Sequence, residues 1–210
     1  MRMKIHPVQI LETIFPNCCV ICGEPISPLK VLCENCEAKL MQGPIPLVER
    51  TKWCEVYFYG RYESVLKDLI LAYKNGGHWR LHRILAKVLI ETMRRYSTPF
   101  SALTWVPSSF KALEDRGFDT MKMIARVVSK TINVRYVSLI ESTSSTTKRG
   151  MKKKERIESV RGAFTIKNKP KGTIALIDDV YTTGSTIREC SKLLLQAGAE
   201  RIVAYCIAKA

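Results

Sequence analysis

The chain has 210 residues, 46% of them hydrophobic, enough for one full domain plus a small accessory module, and too apolar for a disordered chain. No apolar run approaches ~18 residues, which excludes a membrane-spanning helix, and Met1 to Phe15 lack the continuous apolar core and cleavage site of a signal peptide. The expected location is therefore cytoplasmic, and a formal net charge of +15 points to polyanionic partners such as nucleic acid or phosphate-rich metabolites.

In chain order, residues 5–15 read as a short amphipathic helix ending at Pro16. Cysteine and proline dominate from Pro16 to Pro46, a stretch too poor in periodic apolar residues to build a core without a staple. Pro44 and Pro46 mark a linker, dividing residues 1–50 from a domain over 51–210. Trp53 to Tyr59 reads as an aromatic-rich strand, and 62–73 and 79–95 as helices broken by Asn75-Gly76-Gly77. Leu103 to Val106 is a strand stopped by Pro107, 118–131 a helix, and Val134 to Ile140 a strand. Residues 141–161 are polar and basic, without apolar period, and read as a loop. Strand character resumes at Ala163 to Ile166 and Thr173 to Ile177, followed by a helix over 186–197 closed by Gly198 and a strand from Ile202 to Ile207. Strands alternating with helices predict an α/β fold with a parallel sheet covered on both faces.

Eight cysteines suggest a disulfide framework only until their spacing is read. Cys19-Val20-Ile21-Cys22-Gly23 and Cys33-Glu34-Asn35-Cys36 are two C-x-x-C pairs ten residues apart. Each pair sets two thiolates on one tight turn, and two such turns complete a closed, tetrahedral four-sulfur site suited to structural Zn2+. Unligated thiols or a redox pair remain the alternative, and Cys18 competes with Cys19 as first ligand. Cys54, Cys190 and Cys206 sit singly in apolar stretches and read as buried small hydrophobes.

The strongest signal is a strand, Ile174 to Ile177, running into Asp178-Asp179 and then Tyr181-Thr182-Thr183-Gly184-Ser185-Thr186 and a helix. Hydroxyls and backbone N–H groups at a helix N-terminus form a phosphate site, and Gly184 allows close approach to the anion. Two adjacent carboxylates would repel a phosphate unless they face a sugar diol or a hydrated divalent cation. Thr186 with Glu189 also has capping-box spacing, which would account for hydroxyls here but not for the aspartates. His78 and His82, at i and i+4, lack a third ligand and read as surface or rim residues. Residues 148–171 hold ten Lys or Arg against Glu155 and Glu158: a lid over an anion, a grip on a nucleic-acid backbone, or a solvated loop.

The run Asp178 to Thr186 matches the signature of type I phosphoribosyltransferases. With the N-terminal cysteine pairs, the chain resembles the ComF/GntX family, whose further marks here are Tyr73-Lys74-Asn75-Gly76-Gly77, Arg116-Gly117-Phe118, and Glu155-Arg156 ahead of Arg161-Gly162-Ala163-Phe164. The resemblance covers nearly all of residues 10–208. It implies a phosphoribosyltransferase-like sheet, with 5-phosphoribosyl 1-pyrophosphate and Mg2+ as ligands. Asp178 and Asp179 would hold the ribose diol; Thr182, Thr183, Gly184, Ser185 and Thr186 the 5-phosphate; Lys74, Asn75, Gly76, Arg149, Lys152 and Arg156 the pyrophosphate. It implies either phosphoribosyl transfer or, without catalysis, single-stranded DNA binding, with competence-machinery proteins as partners in DNA uptake. Asp119-Thr120, Lys148 and Ser159 depart from the family's Asn-Gln, Gln and Asn, and Val106-Pro107-Ser108-Ser109 is a reduced Pro-Val-Pro element.

Overall fold

The computed structural model describes residues 17–41, 47–75, 77–143 and 162–210. The predicted helix over 5–15 and the Pro44–Pro46 linker lie outside these residues. Strands β1 (Asn17–Cys18) and β2 (Pro25–Ile26) form a small antiparallel pair leading to helix α1 (Glu34–Met41). Then come β3 (Leu47–Arg50), β4 (Glu55–Arg61), α2 (Ser64–Asn75), a 3-10 turn at Trp79–Leu81, and α3 (His82–Tyr96). β5 (Ala102–Trp105), α4 (Phe110–Arg116), α5 (Thr120–Ile132) and the hairpin strands β6 (Ile140–Ser142) and β7 (Phe164–Ile166) follow. β8 (Thr173–Tyr181), α6 (Ser185–Gln196) and β9 (Arg201–Lys209) complete the described chain.

The central sheet has the order β3-β4-β9-β8-β5, parallel throughout except for β3, which pairs antiparallel with the outer edge of β4. The parallel strands read as continuous apolar runs because both faces are covered. Alternation along β9 sorts the core into two layers. Val203, Tyr205 and Ile207 pack with Leu85, Leu89, Ile124 and Val128 of α3 and α5. Ile202, Ala204 and Cys206 face Ile187, Cys190 and Leu194 of α6. Each such Leu or Ile, taken fully out of water, contributes about 1.5–3 kcal/mol. Cys54, Cys190 and Cys206 are all buried in the α6 layer, as expected of small hydrophobes.

The predicted strand over Val134 to Ile140 is reduced to one parallel bridge, Leu103 to Tyr136, with hydrogen bonds on either side of it, and to the start of β6. Ser129 Oγ bonds Val134 O, and Asn133 turns through the left-handed region, so the chain is still leaving α5 where a strand was expected. Periodicity missed α1, β3 and α4, elements of four to eight residues whose apolar positions are too few to show a repeat. α2 runs on through Lys74 and Asn75, and α5 starts at Thr120 because the Asp119 carboxylate accepts from the N–H groups of Met121 and Lys122.

One topological fact positions the site. From β5 the chain leaves towards Tyr136 on the outer side, whereas from β8 it leaves through α6 to β9 on the inner side. The carboxyl ends of β5 and β8 therefore flank a switch point, where open α/β sheets bind ligands.

Candidate functional site

A cavity of about 670 Å³ opens at that switch point. Its walls bring together Lys74 and Asn75 from the end of α2, Ser108 and Ser109 after β5, Arg116 from α4, and Asp178, Asp179, Thr182, Ser185 and Thr186 from β8 and its turn. Ser142 and Ala163, where the β6–β7 hairpin leads into and out of residues 144–161, also border it. Gly76, Arg149, Lys152 and Arg156 lie outside the described residues, as do Lys148 and Ser159.

The acidic pair belongs to β8 itself. Asp178 pairs with Cys206 of β9, and the ladder continues to Val180 with Ala208 and Tyr181 with Lys209. The Asp179 N–H donates to Asp178 Oδ1 at 2.9 Å and the Val180 N–H to Asp179 Oδ1 at 2.6 Å, which fixes both carboxylates close to the backbone. Lys74 Nζ lies 2.5 Å from Asp179 Oδ2, with the two side chains only 29% and 16% exposed. The lysine expected to meet a departing pyrophosphate thus pairs with one of the carboxylates expected to hold the sugar. Among the described residues, three carboxylates (Asp115, Asp178, Asp179) against two cations (Lys74, Arg116) line the cavity.

In the turn, Gly184 sits at φ 70° and starts α6, with no side-chain cap. The capping-box explanation for Thr186 and Glu189 is therefore overturned: Thr186 lies inside the helix, one residue past its start. Thr183 Oγ1 donates to Ser185 Oγ at 2.9 Å, and the Ser185 N–H approaches Thr183 Oγ1 at 3.3 Å. An anion at the turn would face the N-terminal end of α6 and the positive end of its helix dipole.

Beneath the turn lies a network that sequence reasoning missed. Tyr181, 3% exposed, donates its hydroxyl to Glu49 Oε1 at 2.5 Å and stands edge-on to Phe58 with ring centres 5.2 Å apart. Glu49 Oε2 meets Lys209 Nζ at 2.8 Å, and Arg188 Nη2 donates to Thr183 O at 2.7 Å. Burial pushes the Glu49 carboxyl up, but Lys209 and Tyr181, with the charge of Arg188, outweigh it and hold it below its ordinary value. Burial, then the Glu49 carboxylate, push the Tyr181 phenol far up, so it stays a donor. A Cβ on Gly184 would lie 2.1 Å from Tyr181 Oη. The space that Gly184 leaves open is occupied by the Tyr181 ring, not by the ligand as the sequence suggested. Only alternation along β8, which puts Tyr181 on the α6 face, hinted at this.

The departure at Asp119 has a structural role. Besides capping α5, its carboxylate accepts from Trp105 Nε1 at 3.2 Å and from Ser108 Oγ at 3.4 Å. Thr120 is buried, and its carbonyl accepts from Tyr73 Oη at 2.8 Å. His82 is likewise internal: its Nδ1 lies 2.6 Å from Trp79 O and its ring stacks on Trp79, which corrects the surface role expected of it.

The thiols of Cys19, Cys22, Cys33 and Cys36, none of which lines the cavity, all lie within 4.8 Å of one another, and the exposed Cys18 is outside the group. Cys22 and Cys33 sulfurs are 3.6 Å apart. A tetrahedron with metal–sulfur bonds of about 2.3 Å has edges of about 3.8 Å, so the group is already near that shape. Gly23, at φ 76°, donates its N–H to Cys19 O and closes the first turn. Burial pushes the Cys19 thiol up, yet hydrogen bonds at Cys22, Cys33 and Ile21 bring it to about 6, while burial and the neighbouring thiols push Cys36 to about 12. Four thiols this close cannot all ionise by themselves, and a divalent cation at their centre removes that conflict.

No protein-family model matches the chain. It is 28% identical to Competence protein F of Haemophilus influenzae over 200 residues, covering 90% of this chain and 84% of that protein. It is 25% identical to Competence protein ComFC of Streptococcus pneumoniae, covering 96% and 83%. These relatives support a likeness to the ComF family over most of the chain. DNA utilization protein YhgH of Escherichia coli is a further relative, 23% identical over 91% of this chain and 89% of that one. Among solved structures, an adenine phosphoribosyltransferase overlaps 83% of this chain with TM-score 0.43 and 11% identity, covering 89% of its own length. Orotate phosphoribosyltransferase from Aeropyrum pernix overlaps 68% with TM-score 0.42 and 16% identity; this chain spans 64% of that enzyme, less than two thirds. Overlaps this loose carry no inference about chemistry. The phosphoribosyltransferase-like architecture stands on what this chain itself presents: a mostly parallel sheet flanked by helices, with a cysteine cluster towards its N-terminal end.

Proposed function

We propose that this chain binds 5-phosphoribosyl 1-pyrophosphate, together with Mg2+, in the switch-point cavity, and that it serves DNA uptake. The observation that carries the reading is the convergence of the hydroxyl-glycine turn, the acidic pair and the Lys74-Asn75 helix end on one cavity. The turn after β8 takes the 5-phosphate through the N–H groups and hydroxyls of Thr182 to Thr186. Asp178 and Asp179, fixed against the strand, accept from the ribose diol. Magnesium supplies charge to pyrophosphate oxygens and is itself a hard ion that favours carboxylate and phosphate ligands. The residues fit that ion, because among the described residues carboxylates outnumber cations on the cavity wall. Lys74 and Asn75 lie where the pyrophosphate end would sit. In phosphoribosyl transfer, their part is charge placement around a sugar that turns cationic as the leaving group departs. The names of the relatives, two competence proteins and a DNA utilization protein, support a role in DNA uptake beside competence-machinery proteins, which we place in the cytoplasm as part of the same proposal.

For the cysteine cluster we propose structural zinc, held by Cys19, Cys22, Cys33 and Cys36 with no open position, in an accessory module that ends before β3, since Leu47–Arg50, expected within it, joins the central sheet. A second reading of the main domain, non-catalytic binding of single-stranded DNA, draws on the +15 net charge and the basic 148–171 segment. Calorimetry with ribose 5-phosphate and with 5-phosphoribosyl 1-pyrophosphate, with and without Mg2+, tests the main reading. Wild-type protein that binds neither at millimolar concentration refutes it. Pyrophosphate release on addition of nucleobase acceptors separates transfer from binding.

A further inference from the structure

Arg188, in the first turn of α6, is bonded to the turn after β8 yet does not line the cavity. We infer that Arg188 is a positioning residue for anion binding: it touches no ligand, and it holds the backbone of the turn in the shape that takes a 5-phosphate. The inference rests on the reading of the turn after β8 as the 5-phosphate site.

Helix α6 starts from Gly184 without a side-chain cap, so something else must lock the turn. Arg188 does so at two successive carbonyls. Its backbone N–H donates to Gly184 O at 2.9 Å, and its Nη2 reaches back five residues to Thr183 O at 2.7 Å. A peptide unit is planar and trans, so its N–H points opposite to its carbonyl. With Thr183 O held against the guanidinium, the Gly184 N–H points away from Arg188, to the side left for the anion. Glycine has wide backbone freedom, and the orientation of this peptide therefore depends on what holds its carbonyl.

The charges around Arg188 suit that task. Glu49 pairs with Lys209 at 2.8 Å and accepts from Tyr181, and the Arg188 charge also bears on the Glu49 carboxyl. Two cations, Arg188 and Lys209, thus stand against one carboxylate beneath the turn, whereas Asp178 and Asp179 line the cavity in front of it. An anion at the turn is therefore backed by positive charge that the wall itself does not supply. A guanidinium presents its donors in a rigid planar fork, so Arg188 fixes the direction of the Thr183 carbonyl as well as its charge environment. A purely structural staple between helix and turn would be felt in stability alone; a positioning residue is felt in affinity for the phosphate end of the ligand.

Calorimetry on wild type, Arg188→Gln and Arg188→Lys decides the matter, with ribose 5-phosphate and Mg2+-pyrophosphate as probes and urea unfolding as the check on folding. Arg188→Gln should lose about 10-fold or more in affinity for ribose 5-phosphate, and Arg188→Lys, which keeps the charge and a donor, should recover part of the loss. Binding of Mg2+-pyrophosphate, which the Lys74-Asn75 end would take, should stay as in wild type. Unchanged affinity for ribose 5-phosphate in Arg188→Gln, or equal loss for both probes, overturns the assignment. Should Arg188→Gln not fold, Arg188→Lys carries the comparison: a loss confined to ribose 5-phosphate supports the assignment, and no loss overturns it. Wild type alone decides the reading of the turn, since a wild-type protein that binds no ribose 5-phosphate removes the site and, with it, the task given to Arg188.

Discussion

Replacing Gly184 by alanine should destabilise the protein severely, and Tyr181 is the reason. The new methyl group would stand 2.1 Å from Tyr181 Oη and 2.2 Å from its Cζ, far inside contact distance. The ring cannot yield freely, since it is 3% exposed, packed on Phe58 and bonded to Glu49 at 2.5 Å. Forcing a residue with a Cβ to φ 70° costs about 1–2 kcal/mol. Displacing the phenol forfeits a hydrogen bond to a charged group, about 1.5–3 kcal/mol more. The sum, about 2.5–5 kcal/mol, is a large part of a typical stability of about 5–15 kcal/mol. For a chain of this size it lowers Tm on the order of 10 °C. Urea and thermal unfolding of Gly184→Ala measure the loss. In a Tyr181→Ala background the same substitution should cost only the backbone share, so the double mutant should be less than additive. Full additivity, or a Gly184→Ala protein within 1 kcal/mol of wild type, would falsify the account of the turn.

Elemental analysis should find one equivalent of zinc per chain; Cys18→Ser should keep it and Cys19→Ser lose it, and a metal-free protein with an intact N-terminal module would refute the site. The Glu49 carboxyl is depressed on folding, so its contribution is present above its unfolded value of about 4.5 and lost as pH falls through the lower folded value. Glu49→Gln should therefore flatten the loss of urea stability below pH ~4.5, and an unchanged acid limb would exclude Glu49 as its source. Binding of single-stranded DNA should fall linearly on a log–log salt plot, and neutralising Lys152, Lys153 and Lys154 together should reduce the slope by roughly 2. A triple variant that keeps the wild-type slope would remove that segment from the contact surface.

The sequence made the site legible where a residue type admits few uses. Two aspartates ahead of a hydroxyl-glycine turn, or two C-x-x-C pairs, restrict the chemistry before any fold is known, and the structure gathers each set as spacing suggested. Long periodic elements were legible for the same reason: a buried strand such as β9 or a two-faced helix such as α5 repeats its pattern often enough to be read. The short elements α1, β3 and α4 repeat nothing, and two of them supply key groups, Glu49 and Arg116. The contacts of Tyr181 and Lys74 were not legible for another reason: their partners, Glu49 132 positions away and Asp179, are set by tertiary contact alone.

β3 also shows why the cysteine region and the cavity depend on each other. It is the first strand after α1, it pairs with β4 from Leu47–Phe58 to Arg50–Glu55, and it carries Glu49 to Tyr181 under the phosphate turn. On the other face, Tyr59 of β4 donates to Leu40 O at 2.6 Å, and Arg80 donates to the carbonyls of Pro28 and Leu29. Cys19, Leu32, Cys33, Cys36 and Leu40 belong to the same buried cluster as Leu69, Ile84 and Leu85. The cysteine region thus covers apolar surface of α2 and α3, the helices that carry Lys74 and close one face of the sheet. Loss of the four-sulfur cluster would uncover that surface. Through α2, which ends at Lys74, and through β3, which carries Glu49 to Tyr181, the order of a segment without a core of its own bears on the cavity and on the turn proposed to take the 5-phosphate.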